Sequence, residues 1–271
     1  MTYFRFLQLF LGIPLIAIGM THIFLNWRVG TKLPSRFNTW NWLAVTAGLI
    51  GVAVFWTTPW DNYLVATRVW WYDPDLVTGI VFGYVPVEEY TFFILQTALT
   101  SAYTVLLIKL FPDYLIPQRF RPNPNVQKWG LIILGAIWLG STILLISGYL
   151  PATYLTLILS WALIPVLIQF WFGADILWHY RRILFWGIVP ITLYLGYADH
   201  IAITAGTWTI SPEKTLGIML GPALPLEEFT FFLMTNVLVV FGMTLLLARE
   251  SHERSAEMPV LKKWVALEQA G

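Results

Sequence analysis

Apolar residues gather into seven runs of about twenty, the length a helix needs to cross a hydrocarbon core roughly 30 Å thick. They predict spans over residues 3–25, 40–57, 86–111, 129–147, 152–172, 183–198 and 225–248. The segments before the third and seventh spans are too long for plain turns. Residues 64–72, 73–75 and 76–82 read as strand, turn, strand, and 201–210, 211–214 and 215–220 read likewise, predicting two hairpin-like flaps. The first run follows Arg5 as a signal peptide would. It is long, lacks a small-residue cleavage site and has a counterpart inside the chain, so it is read as a span.

Self-comparison finds one pattern twice. Pro86-Val87-Glu88-Glu89-Tyr90-Thr91-Phe92-Phe93 matches Pro225-Leu226-Glu227-Glu228-Phe229-Thr230-Phe231-Phe232. Upstream, Asp61, Trp70, Pro74, Gly79 and Gly83 match Asp199, Trp208, Pro212, Gly217 and Gly221, and a one-residue change of offset places an insertion near Leu224. The first three spans therefore map onto the last three, and the fourth is an unpaired linker. The expected organisation is one all-α, pseudo-symmetric membrane domain over residues 1–248: repeat one at 3–111, a linker helix at 129–148, repeat two at 150–248, then a cytoplasmic tail at 249–271. An even number of crossings separates the copies, so the repeats should be parallel, an arrangement whose interface tends to hold the site.

Charge sets the orientation. Of sixteen basic residues only Arg5, Arg68 and Lys214 fall on the N-terminal side, which predicts an external N-terminus and an internal C-terminus. Nine of the fifteen acidic residues lie on the predicted outer side, the two Glu-Glu pairs, Asp61 and Asp199 among them, so carboxylate chemistry is expected there.

Composition narrows the chemistry further. With 58% hydrophobic and 11% charged residues the chain is an integral membrane protein, and a net charge of +1 implies no nucleic-acid partner. The absence of cysteine removes disulfides, iron–sulfur clusters and thiol nucleophiles. His22, His179, His200 and His252 have no spacing that would build a di-iron site, although His200 follows Asp199 and could shuttle a proton. No G-x-G-x-x-G motif occurs, Asp73 and Asp75 lack the partners of a magnesium–diphosphate site, and the last span has no lysine for a retinal Schiff base. No cofactor and no metal are expected.

A proline followed by two glutamates suits any helix start, because the dipole favours anions there. Two such pairs with the same Thr-Phe-Phe and the same upstream Asp call for more. Neighbouring residues point about 100° apart, so one Glu of each pair is expected to face the bundle and the other the loop or headgroups, and periodicity does not choose between them. Glu88, Glu89, Glu227 and Glu228 are the acid/base candidates, with Asp61 and Asp199 as supporting or relay groups. Phe92, Phe93, Phe231, Phe232, Trp70 and Trp208 either line the site or simply pack.

These residues resemble the membrane lycopene cyclases of the heterodimeric type, here with the two short subunits fused through the linker helix. The resemblance runs from Tyr3 to Ala248. It implies conversion of the acyclic ends of lycopene to β-rings, giving γ-carotene and β-carotene, with the motif carboxylates as acid and base. The substrate would be lycopene or a related C40 carotenoid entering from the surrounding lipid of a prokaryotic cell membrane. The reaction is a non-redox isomerisation: an acid protonates an alkene, a neighbouring double bond attacks the tertiary cation, and a base removes a ring proton. A hydratase of the bacterioruberin pathway would form the same cation and trap it with water, and a non-enzymatic carotenoid-binding or transport protein would share the composition. The oligomeric state is open, a homo-oligomer included.

Overall fold

The computed structural model describes residues 1–257; residues 258–271 of the expected tail lie outside it. Seven long helices form a bundle: α1 (Tyr3–Val29), α2 (Trp42–Ala66), α3 (Val87–Leu110), α4 (Pro124–Ile146), α5 (Thr153–His179), α6 (Arg181–Thr204) and α7 (Leu226–Leu247). A short α8 (Arg249–Glu257) follows. All but α6 of the seven are long and apolar enough to cross a membrane, which makes this a multi-pass membrane protein. Helix α6 is as long, but it begins with Arg181 and Arg182 and carries Asp199 and His200 near its other end. Its packing against α3 and α7 buries Asp199, while the two arginines stay exposed at its start.

Local chemistry explains the boundaries. Asn41 caps α2, its side chain accepting from the Leu43 amide at 2.9 Å, and Asn123 does the same for α4 ahead of Pro124. Helix α2 continues through Pro59 to Ala66, nine residues past the apolar run, because Trp60, Asp61 and Leu64 are buried there. Helices α3 and α7 start directly after Pro86 and Pro225, whose extended backbone cannot join the helix. These two helices pack on each other at the centre and are the most enclosed. Helix α4 lies at the edge against α5, and Ser141 is its one buried residue.

The two expected flaps are replaced by a different pairing. Residues 64–66 and 201–204 belong to helices, and the strands that follow pair across the halves: β1 (Trp70–Tyr72) lies antiparallel to β4 (Trp208–Ile210), with Trp71 opposite Thr209. Each half does hold a small hairpin one segment later. In the first, β2 (Val81–Phe82) pairs with β3 (Val85–Pro86); in the second, β5 (Met219–Leu220) pairs with β6 (Leu224–Pro225). The first turns through Gly83 and Tyr84, the second through Gly221, Pro222 and Ala223, so the extra residue expected near Leu224 sits in the turn. Both turn glycines have φ near +70° to +85°, a region that favours glycine.

Candidate active site

The hydrogen bonds that hold each Glu-Glu pair come from its own half. Glu88 Oε1 accepts the Thr78 amide at 2.6 Å, and Glu227 Oε1 accepts the Leu216 amide at 2.7 Å. These two glutamates anchor the segments that lead into the hairpins. The sequence expectation that one Glu of each pair faces loop or headgroups is half right, since all four are buried. A hydrogen bond to a loop amide lets the buried Glu88 and Glu227 carboxylates face the loop without reaching water.

Glu89 and Glu228 point the other way, into one pocket between the halves. Tyr3 and Tyr72 both donate to Glu89 Oε2, Tyr72 at 3.1 Å, while Tyr154 donates to Glu228 Oε1 at 2.8 Å. Burial, with Asp61 and Glu89 nearby, pushes the Tyr72 phenol well above its usual range, which keeps it a donor. Asp61 from α2 and Asp199 from α6 are buried within electrostatic reach of both glutamates. Asp199 accepts from Trp208 Nε1 at 3.1 Å, whereas neither oxygen of Asp61 has a hydrogen-bond partner. The two halves thus contribute the same carboxylates in unequal settings.

Aromatic rings wall this pocket. Tyr3, Trp70, Tyr72, Phe92, Trp208, Phe231 and Phe232 line it with Glu89, Asp199 and Glu228, and the free volume is about 30 Å³, room for about one water molecule. Trp60 stacks on Phe231 (5.7 Å, 6°) and on Trp161 (4.5 Å, 19°). Phe92 and Phe231 also face a second, apolar chamber of about 280 Å³ between α2, α3, α5 and α7. Phe93 lines that chamber and not the carboxylate pocket. Of the aromatic candidates, five therefore meet at the carboxylates and one stands a step away.

Beneath the carboxylates, polar side chains lock the central helices together. Asn236 Oδ1 accepts from Gln96 Nε2 at 3.0 Å and Thr100 Oγ1 at 2.8 Å, and its Nδ2 donates to Thr192 Oγ1 at 3.0 Å, tying α7 to α3 and α6. Sequence reading missed this network along with Tyr3, Tyr72 and Tyr154. Among the described residues no group of three or more histidine or acidic side chains has the geometry to hold a metal ion. His200 is half-buried on α6, and its Nδ1 has no hydrogen-bond partner.

A multi-pass helical bundle with paired buried carboxylates in an aromatic pocket defines a membrane enzyme that handles an apolar substrate. The lycopene cyclase family model matches residues 2–111 and 151–246, leaving out α4. The lycopene beta-cyclase of Halobacterium salinarum is 35% identical over 246 residues, covering 90% of this chain and 95% of that protein. The bifunctional lycopene cyclase/phytoene synthases of Podospora anserina and Phycomyces blakesleeanus are 40% and 36% identical over 72% of this chain, which spans about a third of their length. No solved structure matches. The chain belongs to the lycopene cyclase family.

Proposed function

We propose that this chain closes the acyclic ends of lycopene into β-rings, using Glu89 and Glu228 as one acid/base pair shared between the halves. The observation that carries the reading is their convergence with Asp199 in one aromatic pocket, with Asp61 buried nearby on α2. Carboxyls crowded into a dry site titrate as a coupled set and share protons. Such a set supplies a protonated acid for the terminal alkene and an ionised base for the ring proton. The proton added at one carbon is balanced by the one removed, so no electron acceptor is needed. Trp60, Phe231, Phe92 and the other rings face the intermediate cation, each aromatic face worth about 0.5 to 2 kcal/mol. Asp61 and Asp199 relay protons between the pocket and the outer side, and Glu88 and Glu227 fix the first turns that carry the reacting glutamates.

In the arrangement that fits this chemistry, seven helices span the cell membrane as two parallel repeats joined by α4, within a single domain over residues 1–248. The N-terminus is outside and the C-terminus inside. The repeated motifs, the matched hairpins and the basic-residue asymmetry support that arrangement. Expression in a lycopene-accumulating host tests the function. The expected products have the mass of lycopene and one or two β-rings; a gain of one water would establish a hydratase, and unchanged lycopene beside folded protein would exclude both.

A further inference from the structure

We infer that the recess at the C-terminal end of the bundle is the seat for the far end of the substrate, and that it admits an already closed ring as well as an open end. The inference rests on the cyclase reading above. It starts from the continuity of two cavities. The apolar chamber below the carboxylates and a larger recess of about 730 Å³ share Leu49, Ile168 and Gln169 as walls. Gly242 borders the recess beside two of these shared walls, and a Cβ there would stand 2.8 Å from Leu49 Cδ2 and 3.6 Å from Gln169 Nε2. A side chain at position 242 would crowd the wall that the two cavities share.

Distance matches the substrate. Glu228 lies near the start of α7 and Leu246 near its end; at about 1.5 Å per residue that is roughly 27 Å of helix, close to the ~30 Å thickness of a hydrocarbon core. An extended C40 polyene is about as long. With one end group at Glu89 and Glu228, the chain runs past Phe92 and Phe231, along α5 and α7, and places its other end between Trp40, Leu246, Ser255 and Ala256. Ile168, which borders both cavities, is 60% exposed on the bundle surface, as an entry from lipid requires.

Width matches as well. The recess is more than twice the volume of the chamber, more than a linear end group needs, and large enough for a trimethylcyclohexenyl ring. On the opposite side of the bundle Tyr194 Oη on α6 donates to the Phe10 carbonyl of α1 at 3.0 Å, and α6 packs closely on α7, where a Cβ on Gly187 would lie 3.0 Å from Val240 Cγ1. Two ends therefore use one groove, each in turn, and the product of the first closure must re-enter with its ring in the recess.

The test fills the recess and reads the products. Leu246→Trp and Ala256→Trp are expressed as full chains in a lycopene-accumulating host beside the wild type, with membrane abundance measured by immunoblot. The wild type is expected to make a two-ring product. Both variants should lose the second closure at least tenfold more than the first, so that the one-ring carotenoid accumulates over the two-ring product. Purified variants should show the same split when offered lycopene or the one-ring carotenoid separately. An unchanged ratio would overturn the inference, as would equal loss of both closures by folded protein, or a wild type that stops at one ring. A wild type that forms no ring at all would instead overturn the cyclase reading. Should one variant fail to accumulate, the other decides, since Leu246 is on α7 and Ala256 on α8.

Discussion

Glu88 and Glu89 are neighbours in sequence, yet one accepts a backbone amide and the other faces two tyrosines and a shared pocket. That division makes their substitutions separable. Glu89→Gln or Glu228→Gln should lower cyclisation by about 10² to 10⁴, measured by pigment chromatography, while membrane abundance stays near wild type. Glu88→Gln keeps an acceptor oxygen for the Thr78 amide and should retain most activity. Tyr154→Phe removes the 2.8 Å hydrogen bond to Glu228, and stranding a buried acceptor should cost about 1 to 3 kcal/mol, read as a lower apparent melting temperature together with a slower reaction. The glutamates were legible because a repeated motif announced them. Their tyrosine partners were not: Tyr3 and Tyr154 lie 151 positions apart, off the 138–139 spacing of the repeat, and the position equivalent to Tyr72 is Ile210.

At the scale of elements, the helices follow from apolar runs and caps, but strand partners do not follow from strand-like sequence. Trp70–Tyr72 has the aromatic character of a strand, and three residues carry no record of whether the partner is six or 138 positions away. Pairing across the halves won because it closes the roof over both glutamates at once, with Tyr72 and Trp208 opposite each other and both lining the pocket. The hairpins are stiffer devices. Gly83 has φ +69°, and a Cβ there would stand 2.2 Å from Asn62 Oδ1, the oxygen that accepts the Tyr84 amide at 2.8 Å. Gly83→Ala should therefore destabilise the fold by at least the ~1 to 2 kcal/mol cost of left-handed backbone, checked by thermal unfolding in detergent.

At the scale of the molecule, the site belongs to neither half. Separately expressed segments ending and beginning in the loop between α3 and α4 should cyclise only when co-expressed, and a Gln at Glu89 in one half should not be rescued by an intact Glu228 in the other; each is checked by pigment analysis of the host. Helix α4 packs mainly on α5 and lies outside the family match, so its sequence should tolerate broad apolar replacement with activity kept. The seam of β1 and β4 carries one more consequence. Until the partner half arrives, a newly inserted half holds an ionisable pair and the unpaired edge of a strand at its lipid-facing flank, groups that a bilayer does not solvate. An orphan half is therefore self-announcing to membrane proteases and insertion chaperones, and docking erases the signal.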